Sequence, residues 1–145
     1  MAKSVVVAVS GGFDPVHLGH LKMFENAKAL GDKLVVIVNQ DHFLETKKGF
    51  VFMTLHERME IIKAFKWVDK VIPAIDEDQT VCKTLELIKP DIFANGGDRK
   101  KGNVPEAEIC ERYGIKMVYG IGDKLNSSSD LVRHILNLDK TKLKI

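Results

Sequence analysis

The apolar residues of this chain fall into five short runs separated by longer stretches with the period of a helix. The runs are rich in β-branched residues, which favours strands over helices. They are apolar almost throughout, as is typical of parallel strands that helices cover on both faces. The pattern therefore predicts βαβ units and a three-layer α/β sheet. The predicted strands cover residues 5–9, 34–38, 68–72, 91–94 and 115–119.

The stretches between these strands carry the sequence signals of helix ends. We expect a first helix to end at Leu30, with Gly31 in the left-handed cap conformation. A second begins at Thr54, where the run Thr-Leu-His-Glu fits a capping box. Apolar periodicity with flanking Pro, Gly or Ser predicts three more helices, over residues 81–88, 105–113 and 127–136.

Composition narrows the class of protein. A chain of 145 residues that is 45% hydrophobic suits one domain over residues 1–145, with the Lys-rich end at 139–145 expected to fray. Its 22 basic and 20 acidic residues are mixed along the sequence, unlike the basic stripe of a nucleic-acid binder. Cys82 and Cys110 lack metal-ligand spacing, which argues against a zinc site and a disulfide framework. The first apolar run is too short for a signal peptide or membrane span, so we expect a cytoplasmic protein.

The segment after the first predicted strand carries the clearest chemical signal. Residues 9–20 read VSGGFDPVHLGH, and ligands collect at such strand-to-helix junctions in open parallel sheets. Gly11 and Gly12 let backbone amides approach a phosphate, and the following helix offers its N-terminal N–H groups. His17 and His20 are three residues apart, so both imidazoles can lie over the same helical turn. Two glycines alone are common at such junctions, but their combination with the histidines predicts a phosphate-binding site.

GGFDPVHLGH resembles the GTFDxxHxGH signature of the cytidylyltransferase-like nucleotidylyltransferases. The likeness extends in order from about Val5 to Leu136. Within the family, the sequence resembles glycerol-3-phosphate cytidylyltransferases and heptose-1-phosphate adenylyltransferases. The resemblance implies a Rossmann-like fold with five parallel strands. It also implies transfer of a nucleoside monophosphate from a triphosphate to a phosphorylated acceptor, with release of pyrophosphate.

The resemblance implies that the enzyme accelerates the transfer by stabilising negative charge in the transition state. His17 and His20 would stabilise the charge that grows on phosphate oxygens in the transition state. An acceptor phosphate with a second pKa of about 6 is already a nucleophile at pH 7, so no covalent nucleophile or general base is required. The loop at 45–52 and the helix after it would add a phosphate-binding lysine and an arginine. The catalytic candidates are His17, His20, Lys48 and Arg58.

Further segments are implied to bind the substrates. In the loop at 95–99, glycines would let a flat base approach the backbone while Asp98 accepts from its amino group, which both cytosine and adenine carry. Serines at the start of the last helix would bind the β- and γ-phosphates. Asp14, Lys47 and Lys124 are candidates for contact with the acceptor. The nucleotide-binding candidates are Gly11, Gly12, Phe13, Asp14, His17, His20, Gly96, Asp98, Arg99, Ser127, Ser128 and Ser129.

The sequence leaves several substrates open. We expect CTP and a small phosphorylated alcohol such as glycerol 3-phosphate, because a compact HxGH domain without a fused kinase resembles the glycerol-phosphate type. The alternative is ATP with heptose 1-phosphate or FMN, since the Gly-Gly-Asp run at 96–98 resembles the heptose enzymes and archaeal-type FAD synthetases share the same frame. A nucleotide sensor without turnover is a further class. Mg²⁺ is expected to arrive with the triphosphate, with Asp14 the nearest carboxylate. A homodimer is expected because relatives commonly form one.

Overall fold

The computed structural model describes residues 3–96, 104–121 and 133–137. Within them, each strand except the last is followed by one or two helices. The strands are β1 (Val6–Gly11), β2 (Lys33–Val38), β3 (Lys70–Pro73), β4 (Ile92–Ala94) and β5 (Lys116–Val118). The helices that connect them are α1 (Leu18–Lys28), α2 (Asp41–Lys48), α3 (Leu55–Lys63), α4 (Cys82–Ile88) and α5 (Ala107–Arg112).

The strands form one sheet in the order β3-β2-β1-β4-β5, and every neighbouring pair is parallel. β1 therefore lies at the centre, between β2 and β4. The chain builds outward from β1 first on one side and then on the other, so the carboxyl end of β1 is the switch point where ligands bind in open α/β sheets. The predicted five-stranded parallel α/β fold is confirmed.

Two apolar clusters cover the two faces of the sheet. Alternate residues of a strand point to opposite faces, which explains why the strands are apolar almost throughout. One cluster packs β1 and β2 against α1 and α3, and it includes Val7, Val9, Val36, Phe24 and Ile62. The other packs β1, β2 and β4 against α4 and α5, and it includes Ala8, Ile37, Phe93, Leu85 and Cys110.

The end of α1 differs from the prediction. The helix is capped at Ala29 in the right-handed conformation, and Gly31 is not among the residues of positive φ. A Cβ atom on Gly31 would lie 2.8 Å from the carbonyl oxygen of Val5 and 2.8 Å from Cγ2 of Val7. The left-handed cap was therefore wrong. The glycine is needed because the chain passes directly against β1.

The segment between β2 and α3 was treated as a connection, but it contains α2. This helix is two turns long, contributes only Leu44 to the interior, and ends at Gly49 with a φ of 87°. Its only two apolar residues, Phe43 and Leu44, are adjacent, so no apolar residue repeats at helical spacing and the pattern missed the helix. α3 begins as predicted, with the Thr54 side chain accepting from the backbone N–H of Glu57. None of the described helices has the length and apolar character to cross a membrane.

Candidate active site

The turn after β1 folds over its own aromatic side chain. Phe13 has a φ of 54°, a left-handed conformation that residues other than glycine rarely adopt. Its buried ring contacts His20 with centroids 4.8 Å apart. The ring also lies beneath Gly11, where an added Cβ would be 2.8 Å from Cζ of Phe13. The first glycine of the motif therefore has a packing role in addition to leaving the turn open.

His17 and His20 cap the first turn of α1 reciprocally. His17 is the N-cap residue, and its Nδ1 accepts from the N–H of Gly19 at 3.1 Å. Nδ1 of His20 accepts from the N–H of His17 at 3.2 Å. This is the capping-box arrangement, with imidazoles in the places that Ser or Thr and Glu or Gln usually take. Because each Nδ1 accepts a hydrogen bond, each neutral ring carries its proton on Nε2.

The two imidazoles stack on each other, with centroids 3.8 Å apart and ring planes 23° from parallel. Burial lowers the pKa of His17 below its usual value. Burial, and then the nearby His17, lower the pKa of His20 to about 3. Both rings are therefore neutral near pH 7. Each then offers one Nε2–H donor, at a helix N-terminus that itself favours anions.

Asp14 holds the following loop to the turn. Its buried carboxylate accepts from the backbone N–H groups of Phe52 at 2.7 Å and Met53 at 2.5 Å. Nζ of Lys48 lies 3.2 Å from Oδ2 of Asp14 and donates to its carbonyl oxygen at 2.9 Å. Lys48 thus lies at the turn, where it is paired with Asp14.

Arg58 is completely buried, and its guanidinium holds three segments together. It donates to the carbonyl oxygens of Met53 at 2.9 Å, Gly12 at 2.8 Å and Asn39 at 2.7 Å. It also donates to a carboxylate oxygen of Asp41 at 2.6 Å. These contacts join the turn after β1, the end of β2 and the entry to α3. The geometry gives Arg58 a positioning role.

The remaining predicted site residues divide into two groups. Gly96 follows β4, at the same edge of the sheet as the turn. Lys47 lies in the last turn of α2, with its Nζ 5.8 Å from the centre of the Phe43 ring. Six predicted residues lie outside the described part of the chain: Asp98, Arg99, Lys124, Ser127, Ser128 and Ser129.

Two asparagines at this edge have unused hydrogen-bonding capacity. Asn39 follows β2 and Asn95 follows β4, and their side chains are almost completely buried. Oδ1 of Asn39 and Nδ2 of Asn95 have no hydrogen-bond partner within the described residues. Sequence analysis named neither as a site residue. A polar residue directly after an apolar strand is the signal that identifies both.

The side chains near the turn do not form a dedicated metal site. Within the described ranges, no group of three or more His, Cys, Asp or Glu residues could hold a metal ion. Asp14, the nearest carboxylate, already accepts from two backbone N–H groups and Lys48. An apolar pocket of about 290 Å³ opens beside His17, lined by Val16, His17, Leu18, Leu21, Met53, Ile61 and Phe65.

Several known proteins are similar to this chain. It is 42% identical over 92% of its length to an FAD synthase from Thermococcus sibiricus and covers 94% of that protein. It is 39% identical over 75% of its length to the bifunctional protein HldE of Hahella chejuensis. It is 48% identical over 66% of its length to an ethanolamine-phosphate cytidylyltransferase from Arabidopsis thaliana. The chain spans only 23% of that HldE and 24% of that cytidylyltransferase.

A solved structure and a family model agree with these similarities. The crystal structure of a lipopolysaccharide core biosynthesis protein from Thermoplasma volcanium has a TM-score of 0.68 and 30% sequence identity, covering 81% of this chain and 96% of that one. Residues 8–123 match the model of the cytidylyltransferase-like family. The matched range includes the turn, the histidine pair and all five strands, apart from the first two residues of β1. The chain therefore belongs to the cytidylyltransferase-like family and is a nucleotidyltransferase.

Proposed function

We propose that the chain is an adenylyltransferase that joins AMP from ATP to the phosphate of FMN, giving FAD and pyrophosphate. The observation that carries this proposal is the match in length to the FAD synthase from Thermococcus sibiricus, in which almost all of each chain aligns. The HldE and ethanolamine-phosphate cytidylyltransferase matches cover about a quarter of those longer proteins. We therefore favour ATP and FMN as the substrates over CTP and a phosphorylated alcohol.

In the proposed reaction, a phosphate oxygen of FMN attacks the α-phosphorus of ATP. A new P–O bond forms as the bond between the α-phosphorus and the oxygen bridging to the β-phosphate breaks, and pyrophosphate leaves with that electron pair. The attacking phosphate is largely ionised at pH 7, so no base has to remove a proton from it. The protein's task is to position the two substrates and to stabilise growing negative charge.

The histidine pair suits that task. Each ring already uses Nδ1 on the backbone, so its Nε2–H is fixed as a donor before substrate arrives. In our proposal the two Nε2–H groups bind the α- and β-phosphate oxygens at the start of α1. Mg²⁺ would arrive with the triphosphate, since the described side chains do not fit a resident ion.

We further propose that the two substrates lie on opposite flanks of β1. The nucleotide would lie over the β4 side, where Gly96, Asp98 and Arg99 follow the strand, with Ser127, Ser128 and Ser129 on its phosphates. The acceptor would then lie over the β2 side, near Lys48. Such a division is compatible with in-line attack, in which the acceptor oxygen approaches the α-phosphorus opposite to the leaving pyrophosphate.

A second candidate function is transfer of CMP from CTP to a small phosphorylated alcohol. The identity to the ethanolamine-phosphate cytidylyltransferase, 48% over 100 residues, favours it. Purified protein would be incubated with ATP or CTP, Mg²⁺, pyrophosphatase and either FMN, glycerol 3-phosphate, ethanolamine phosphate or heptose 1-phosphate. We expect FAD from ATP and FMN. Product from CTP alone would favour the second candidate, and nucleotide binding without any product would favour a sensor.

We also propose a homodimer. Leu18 and Ile61, at the rim of the apolar pocket beside His17, are 55% and 39% exposed, which suits a covered surface. Light scattering at micromolar concentration tests the assembly, and a monomeric mass would refute it.

A further inference from the structure

Asn39 and Asn95 stand on opposite flanks of the glycine turn. Asn39 is the first residue after β2, and its backbone N–H donates to the carbonyl oxygen of Gly11 at 2.9 Å. Asn95 is the first residue after β4, on the other side of β1. Both residues therefore reach the switch point of the sheet, one from each side.

Both asparagines lie on the sheet face that α4 and α5 cover. Ile37 and Phe93, two residues earlier in their strands, belong to the apolar cluster of that face. Residues two apart in an extended chain share a face. The histidines begin α1, which packs on the other face. The two pairs of side chains thus approach the turn from different sides of the sheet.

The side-chain oxygen of Asn39 is unsatisfied, whereas the backbone of this residue is held in place. Its backbone is held by the bond to Gly11 and by Arg58, which donates to its carbonyl oxygen at 2.7 Å. Its side-chain Oδ1 is buried and has no partner in the described part of the chain. A buried polar atom left in this state costs about 1–3 kcal/mol. A substrate group that bonds to Oδ1 would remove this cost.

We infer that Asn39 is a specificity-determining residue that accepts a hydrogen bond from a hydroxyl group of the phosphorylated acceptor. The inference rests on the proposed function, which places the nucleotide on the β4 flank and so leaves the β2 flank to the acceptor. A carboxamide oxygen accepts from O–H or N–H groups and offers nothing to a phosphate oxygen. The contact therefore selects an acceptor that carries a hydroxyl on the chain leading to its phosphate, as the ribityl chain of FMN does.

The test compares two variants and two acceptors. KM and kcat would be measured for the wild type, Asn39→Ala and Asn95→Ala, with FMN and with a flavin phosphate whose chain has no hydroxyl groups. Asn39→Ala is expected to raise KM for FMN about tenfold, the worth of one buried hydrogen bond, and to leave KM for ATP within about twofold. Asn95→Ala, similarly buried but on the flank assigned to the nucleotide, is the comparison variant and should leave the ratio of KM between the two acceptors unchanged.

The hydroxyl-free acceptor separates recognition from a structural role. The wild type should use it with a KM about tenfold higher than for FMN, whereas Asn39→Ala should use both acceptors alike. An unchanged KM for FMN in Asn39→Ala, or equal use of both acceptors by the wild type, would overturn the inference. If Asn39→Ala fails to fold, the same comparison is made with Asn39→Leu, which fills a similar volume without the acceptor oxygen.

A different result would count against the proposed function instead. If the wild type makes no FAD from ATP and FMN, that function fails, and the same pair of measurements is made with the acceptor that the panel identifies and its hydroxyl-free analogue. The two failures are therefore distinguishable.

Discussion

Two groups of side chains meet at the turn after β1, and they use their polar atoms in opposite ways. His17 and His20 are neutral, and each uses one nitrogen on the backbone and keeps the other as a donor. Asp14 and Arg58 are charged groups, buried, and bonded to several segments of their own chain. The histidines therefore keep a donor that can bind a substrate, whereas Asp14 and Arg58 use their polar atoms to hold the turn in place.

Charge is therefore a poor guide to chemistry at this turn. A buried guanidinium or carboxylate is tolerated only when hydrogen bonds satisfy it. Here most of those bonds come from backbone groups of three segments, namely the turn after β1, the end of β2 and the entry to α3. An uncharged imidazole can remain partly unsatisfied at low cost. In the proposed mechanism, the neutral histidines therefore bind the phosphates, while Asp14 and Arg58 hold the turn in place.

The largest effect should come from removing Arg58. We expect Arg58→Met to lower the free energy of unfolding by about 3–5 kcal/mol, because three carbonyl oxygens and the Asp41 carboxylate lose their donor. Urea unfolding followed by circular dichroism measures the change. The control is Arg112→Met, which breaks an exposed pair with Glu108 at 3.6 Å and should cost less than about 1 kcal/mol. Equal losses of unfolding free energy in Arg58→Met and Arg112→Met would show that Arg58 does not hold the turn in place.

The histidine variants should show the converse behaviour. His17→Asn keeps an N-cap acceptor, and His20→Gln keeps the reciprocal capping contact, while both remove the imidazole Nε2–H donor. We expect kcat to fall about 10²- to 10³-fold in each, with the free energy of unfolding within about 1 kcal/mol of wild type. Steady-state kinetics and urea unfolding on the same samples give both numbers. Unchanged turnover in both variants would contradict the mechanism.

Gly11→Ala tests whether the packing of Phe13 in the turn affects the histidines. The new Cβ would meet the buried Phe13 ring, which also contacts His20. We expect a loss of about 1–3 kcal/mol in stability and a fall in kcat of about tenfold, as the ring and His20 shift together. A stability loss with unchanged kcat would show that the histidine pair does not depend on this packing.

The smallest effect should appear in the pH dependence of stability. The pKa of His20 is about 3 in the folded chain and about 6.5 when unfolded, so between these values only the unfolded chain binds the proton. Stability from this group is complete above pH 6.5 and is lost as pH falls toward 3. Between pH 6 and 5 the wild type should lose about 1 kcal/mol more than His20→Gln, as measured by urea unfolding. If stability depended on pH in the same way in the wild type and in His20→Gln, the lowered pKa of His20 would be disproved.

Much of the fold could be predicted because its signals are local. Each strand is a short apolar run, and the histidine pair sits within four residues at a helix start. α2 could not be found, since a two-turn helix with one buried residue leaves almost no periodic pattern. The partners of Arg58 could not be found either. Its bonds to Asn39 and Gly12 cross 19 and 46 residues, and no local spacing records them.

In the proposed mechanism, the reciprocal cap at His17 and His20 makes activity depend on the order of a single helical turn. Helix ends open locally at free energies well below that of global unfolding. When the first turn of α1 opens, both Nδ1 bonds break and the proton on each ring is free to move to the other nitrogen. On warming, the enzyme should therefore lose turnover reversibly before its circular dichroism changes, so that catalytic rate reports the fraying of one helix end.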